Sequence, residues 1–269
     1  MLPGRVVVAR IDGHLDFLDI VSVPSEGETM RTPVSRIRLV STDSNDSLTN
    51  YGDDIALSRT SGCRAHLQSI SCLCVQGRKL ITGSTDHTLR VFRADDGVGV
   101  YTLHGHSGPI TCNFIDRHSS MTSAGSASQD GMLCVWDLLT GACMYSVQAH
   151  AGPVTDITYS PGCVVSLGQD DKLCVWERNQ GHLLNCVDTS GDSLSGLVML
   201  THNIIVTASG SSLVVWDVRL SQPVKIIRLG SVQSQARVNI IRQAGDTLIC
   251  SCDNQIKLVK FPILTQKID

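Results

Sequence analysis

Three observations predict an all-β fold, a propeller of small four-stranded sheets. The three tryptophans recur every 40 residues, at positions 136, 176 and 216. Each closes the same phrase: Met132-Leu133-Cys134-Val135-Trp136-Asp137, Lys172-Leu173-Cys174-Val175-Trp176-Glu177 and Ser212-Leu213-Val214-Val215-Trp216-Asp217. The runs between them are short and continuously apolar, as in Leu197-Val198-Met199-Leu200 and Ile204-Ile205-Val206. A period near 40 with four short strands per unit is the pattern of propeller blades. The runs do not alternate because a blade buries both faces against its neighbours. One blade has too little core to stand alone, and stacking several supplies it.

The elements follow in chain order. Residues 1–20 read as a partial blade of two strands, Val6 to Arg10 and Leu15 to Asp19, with a turn at Asp12-Gly13. Residues 21–59 are polar and rich in loop formers, a long insertion expected to be mobile with one strand near Arg36-Ile37-Arg38-Leu39-Val40. Residues 60–265 hold the repeats. An upstream copy, Thr88-Leu89-Arg90-Val91-Phe92-Arg93, carries Phe92 where Trp is expected. The unit ending at Trp216 lacks its His and Asp; Ser209-Gly210-Ser211 stands where the Asp turn belongs. The last unit has Lys260-Phe261 in place of Trp-Asp. This makes an incomplete propeller of about five to six blades, whereas such rings commonly hold about seven. The expectation is a C-terminal piece of a longer protein, with uncovered blade faces prone to aggregate.

Composition excludes several function classes. Hydrophobic residues are 42% and charged residues 17%, so the chain folds around a core. A net charge of −3 and 4% aromatics argue against nucleic acid as a partner. No apolar run approaches the roughly 20 residues of a bilayer span, and Met1-Leu2-Pro3-Gly4 leads straight into strand sequence, so membrane insertion and a signal peptide are not expected. The 11 cysteines are odd in number and many lie inside apolar strands, which points to buried thiols in a reducing compartment. The C-x-C pairs Cys72/Cys74 and Cys250/Cys252 lack the spacing and second pair of a zinc site, so no metal or cofactor is expected. Asn45-Asp46-Ser47 is a glycosylation sequon that such a compartment leaves unused.

The unit has further grammar. Gly105-His106-Ser107-Gly108-Pro109 matches Ala149-His150-Ala151-Gly152-Pro153, with a weaker copy at Ala65-His66. Between His and Trp comes a small-residue strand ending in Asp: Thr82 to Asp86, Ser126 to Asp130 and Ser166 to Asp170. This resembles the WD40 family from residue 60 onward. The resemblance implies a structural tetrad in each unit, best formed by His106, Ser126, Asp130, Trp136 and by His150, Ser166, Asp170, Trp176. A hydrolase triad is the rival reading of His, Ser and Asp. The set recurs with Trp and lacks a Gly-x-Ser-x-Gly elbow, so no catalytic residue is assigned and the chain is read as a non-enzyme.

Longer stretches narrow the family. Leu80 to Arg93, Tyr101 to Gly108, Val135 to Gly141, the opening Arg5 to Phe17 and the ending Gln266-Lys267-Ile268-Asp269 are similar to the C-terminal propeller of the sterol regulatory element-binding protein cleavage-activating protein (SCAP) family. That resemblance implies a cytosolic propeller that binds the C-terminal regulatory region of a transcription-factor precursor. It implies a parent with a multi-pass, sterol-binding membrane region that escorts the precursor from endoplasmic reticulum to Golgi when sterol is low. Family rims place candidate partner contacts at His87, Arg90, Arg93, Gln129, Gln169 and Lys172; ordinary solvated loops are the plainer reading of each. A generic cytosolic scaffold, such as a ubiquitin-ligase or vesicle-coat adaptor, is the alternative function.

Overall fold

The computed structural model describes residues 5–22, 34–37, 55–116, 123–189, 194–220, 222–229, 238–252 and 255–261. Six antiparallel sheets follow one another along the chain. The first holds β1 (Arg5–Ala9), β2 (His14–Ser22), β3 (Val34–Ile37) and β4 (Ile55–Arg64), in spatial order β1-β2-β4-β3. The second holds β5 (Ile70–Gln76), β6 (Lys79–Ser84), β7 (Leu89–Arg93) and β8 (Gly99–Leu103). The third holds β9 (Ile110–Ile115), β10 (Ser123–Ser128), β11 (Met132–Asp137) and β12 (Cys143–Gln148). The fourth holds β13 (Val154–Tyr159), β14 (Cys163–Gly168), β15 (Lys172–Glu177) and β16 (Leu183–Asp188). The fifth holds β17 (Leu194–Met199), β18 (Ile204–Ser209), β19 (Ser212–Asp217) and β20 (Pro223–Arg228). The sixth has three strands, β21 (Val238–Ala244), β22 (Thr247–Cys252) and β23 (Gln255–Lys260).

Each sheet is a blade. Neighbouring blades touch through their first strands, β5 on β9, β9 on β13, β13 on β17 and β17 on β21. These inner strands stack side by side, and the later strands of each blade radiate outward. Core clusters lie between blades rather than within one. Phe114, Leu133 and Val154 of blades three and four close over Trp176, and Val165, Leu197 and Ile205 of blades four and five pack around Trp216. The middle strands are buried end to end; β14 exposes no residue. Outer strands β12 and β20 are mostly exposed, which is why they carry few apolar residues that repeat.

The first blade is offset from the others. Gly13 accepts the amides of Ala65 and His66 at 2.9 and 3.0 Å, as Gly131 accepts those of Ala149 and His150 at 2.9 and 3.1 Å. The β1–β2 turn therefore matches the β10–β11 turn. β1 and β2 take the second and third places of a blade and β4 the outer place, with no inner strand among the described residues. β2 and β4 pair across the insertion, from His14 opposite Arg64 to Ser22 opposite Ile55. The sequence predicts two strands here and one near Arg36 within the insertion; β3 overlaps that third strand, starting two residues earlier, and the sheet adds β4, which begins inside the stretch read as insertion and pairs with β3. The rest of the insertion lies outside the described residues. At the far end of the chain, blade six turns Ile240, Ile256 and Leu258 outward. No described helix is long and apolar enough to cross a membrane.

Candidate functional site

The turn between the second and third strands of blades one to five holds one residue with positive φ. Gly13, Gly131 and Gly210 fill it in blades one, three and five. His87 and Asp171 fill it in blades two and four at φ 69° and 57°. Asp precedes this residue in blades one to four, and its carboxylate accepts the amide two residues on: Asp12 from His14, Asp86 from Thr88 and Asp130 from Met132. In blades two to four the turn thus aims a carboxylate inward, toward the loop that carries the His at the start of the same unit.

In blade four the aimed groups form one chain of contacts. His150 Nδ1 lies 2.8 Å from Asp170 Oδ1, and His150 Nε2 lies 2.8 Å from Ser166 Oγ. Trp176 Nε1 donates to Ser166 Oγ at 2.9 Å. An ionised Asp accepts only, so Nδ1 carries the proton, Nε2 accepts from the Ser hydroxyl, and the hydroxyl accepts from Trp. Blade three repeats this with His106, Ser126 and Trp136 at 2.8 Å for both inner contacts, and a looser His106–Asp130 contact of 3.3 Å. The His and Ser side chains are fully buried, so no substrate reaches the hydroxyl. Burial pushes the His106 and His66 pKa values down despite the facing Asp, which keeps both rings neutral. Burial alone would raise Asp86, but bonds from the Thr88 hydroxyl, the Leu67 amide and His66 outweigh it and hold it at about 2. Asp130 and Asp170 are lowered against their burial in the same way, by the amides of Ser107 and Ala151 among others.

Blade two has such a set that the sequence reading left out of its best two. His66 Nε2 lies 2.8 Å from Thr82 Oγ1, and Nδ1 lies 3.0 Å from Asp86. Ala65-His66 and Thr82 to Asp86 carried the signal; Phe92 masked it. Phe removes a donor but leaves Thr82 short of only an acceptor's partner, which costs far less than a stranded N–H. In blade five Trp216 still donates to Thr207 Oγ1 at 2.9 Å, without His or Asp.

These chains face inward and leave the turns that carry them facing solvent. His87, Gln129, Gln169 and Lys172 are exposed on one rim, above blades two, three and four. Arg90 is half-buried on β7, with its Nε buried and unpartnered. Arg93 lies at the other end of the five-residue β7, bonded to Asp96 in the turn on the opposite rim. The six candidate contacts are therefore not one patch: four share a rim, Arg90 lies behind it, and Arg93 stands apart. Among the described residues no group of three or more His, Cys, Asp or Glu could hold a metal.

The same arrangement of blades is found in known proteins. The SCAP beta-propeller family model matches residues 1–260. The chain belongs to this family. A SCAP relative, the sterol regulatory element-binding protein cleavage-activating protein of Xenopus laevis, is 33% identical over 277 residues. That alignment takes in 100% of this chain and 20% of the relative, so the chain spans about a fifth of that protein. A p21-activated protein kinase-interacting protein 1-like protein of Gallus gallus is 25% identical over 76% of this chain and 57% of its own length. The solved structure of U3-55K superposes with a TM-score of 0.71 at 14% identity, over 96% of this chain and 74% of that one, which shows the shared propeller fold. The hydroxyl and imidazole groups of blades three and four are spent on the propeller's own hydrogen bonds.

Proposed function

We propose that this propeller holds the C-terminal regulatory region of a sterol regulatory element-binding protein precursor, as the escort module of a SCAP-like protein. In this reading the parent sits in endoplasmic reticulum and Golgi membranes, with the propeller on the cytosolic face. Sterol sensing belongs to a membrane region outside this chain. The family match over residues 1–260 carries the proposal. The upper rim supports it: His87, Gln129, Gln169 and Lys172 are exposed polar groups on turns made rigid from below, which suits them to recognition at little entropic cost.

The test is capture of the purified precursor C-terminal region by the folded chain. Retention that weakens at least about tenfold in a Gln129→Ala, Gln169→Ala, Lys172→Glu triple variant supports the reading, since clustered rim contacts of that loss amount to ~1.4 kcal/mol. A folded chain that captures nothing overturns it.

A further inference from the structure

Blade four carries a thiol pair set in register. Cys174 lies on β15 and Cys186 on β16, directly opposite each other in the antiparallel ladder. Their Sγ atoms are 2.9 Å apart. Directly opposed residues have Cα atoms about 4.5–5.5 Å apart, inside the roughly 4.4–6.8 Å that a disulfide spans. Closing to a bond of about 2.04 Å therefore needs side-chain rotation and no backbone shift. The register comes from a bulge between Val175 and Trp176. Without it, counting back from Trp176 opposite Leu183 would set Cys174 against Asn185.

The two thiols differ in access. Cys186 is exposed on the outer strand, whereas Cys174 is 3% exposed, packed against Ala127 and Leu133 of blade three. Burial and the neighbouring Cys186 push the Cys174 thiol up, so it stays protonated until a partner sulfur is activated. Blade three differs in register. Its Cys134 and Cys143 side chains also interact, but Cys143 lies opposite Trp136 and Cys134 faces Ser146, so they meet across the ladder diagonally rather than directly.

We infer that Cys174 and Cys186 form an oxidation site, a reversible cross-strand staple closed by hydrogen peroxide and opened by a thiol reductant. The Cys186 thiolate attacks one peroxide oxygen; the O–O bond breaks, and hydroxide leaves as Cys186 becomes a sulfenic acid. The Cys174 sulfur then attacks the Cys186 sulfur, the S–O bond breaks, and the hydroxyl leaves as water with the Cys174 proton. Two thiols and one peroxide become one disulfide and two waters. The product ties the exposed outer strand of blade four to the middle of its sheet, beside the Ser166 that faces Cys174 on β14.

The experiment treats the full chain with a few equivalents of hydrogen peroxide, quenches with an alkylating agent and digests with trypsin. Cleavage after Lys172 and Arg178 puts the two cysteines on separate peptides, so the staple appears as a linked pair. The expected result is that this linked pair forms before other cysteines are modified and vanishes on reduction. Cys186→Ser, at an exposed site, abolishes it, and Cys174→Ala leaves a sulfenic acid at Cys186 that a dimedone probe traps. In the oxidised chain the β16 amides exchange about tenfold more slowly, because the strand no longer opens alone. Cys186 driven to sulfinic acid with Cys174 still alkylatable overturns the inference, as does a Cys134–Cys143 link formed first.

Discussion

Ser166→Ala removes one oxygen from a fully buried site and strands two groups. Trp176 Nε1–H loses its acceptor at 2.9 Å, and His150 Nε2 loses its donor at 2.8 Å. The imidazole cannot compensate by moving its proton, because Nδ1–H is committed to Asp170 at 2.8 Å. Neither ring reaches water: the His150 side chain is fully buried and Trp176 is 7% exposed. Each buried orphan costs ~1–3 kcal/mol, so the substitution destabilises by about 2–6 kcal/mol. At about 2–4 °C per kcal/mol for a domain of this size, the melting temperature falls by about 4–24 °C. Urea unfolding followed by tryptophan fluorescence and circular dichroism measures the loss. Adding Trp176→Phe separates the causes. Phe carries no N–H to strand, so its cost is smaller once the Ser166 hydroxyl is gone than in the parent, with a coupling of about 1 kcal/mol or more. A Ser166→Ala loss under about 0.5 kcal/mol, or strict additivity with Trp176→Phe, refutes the hydrogen-bonded chain as a source of stability.

Other substitutions probe the remaining links. Asp171→Gly, at φ 57°, stabilises by up to about 1 kcal/mol in the same urea assay, because Gly adopts that turn without strain. Trp216→Phe and Trp176→Phe each leave one hydroxyl acceptor without its donor, Thr207 Oγ1 and Ser166 Oγ, so their costs agree within about 1 kcal/mol in the same urea assay. Asp156 is half-buried on the inner strand β13, and desolvation raises its pKa to about 6 even though the Leu197 and Ile157 amides bond it. A raised acid favours its protonated form in the fold, so its contribution is full below pH ~4 and is lost as pH climbs through about 6. Asp156→Asn should flatten that slope and raise stability at pH 7 by about 1–2 kcal/mol, read from urea midpoints at pH 5 and 7.5. An unchanged slope counts against Asp156 as its source. The depressed groups act in the opposite sense: Asp86, at about 2, and the lowered His66 and His106 contribute stability that fades as pH falls, the histidines below about 6.5 and Asp86 below about 4. His66→Gln should therefore show a shallower loss between pH 6.5 and 5 than the parent.

The blades were legible because burial on both faces leaves a plain mark. Strands such as β14 and β18 read as mostly apolar runs without strict alternation, and Trp136, Trp176 and Trp216 count them off. The inward hydrogen-bonded sets were legible too, since each needs fixed residue types at fixed offsets. What escaped depended on pairings that no local signal reports. β2 and β4 join across more than 30 residues of polar sequence, with no hairpin turn to announce the contact. Arg93 looked like a neighbour of His87 because sequence distance does not say that β7 runs from one rim to the other. Cys174 faces Cys186 only through the bulge beside Trp176, a single-residue shift invisible in the spacing. Asp156 carries no sequence signal of its own, because its raised pKa is set by the burial around it in the fold.

The phrase that repeats in the sequence is out of step with the sheets that repeat in space. Residues from Asp137 to Trp176 give β12 to blade three and β13, β14 and β15 to blade four. Every linker from one tryptophan to the next thus crosses a joint, like bricks laid in running bond. A cut chosen at the motif boundary leaves a ragged sheet on both sides. Excising one motif and rejoining the ends, by contrast, rebuilds a whole blade across the seam. Evolution or an engineer can lengthen such an arc by inserting phrases, yet can shorten it cleanly only in multiples of the same measure.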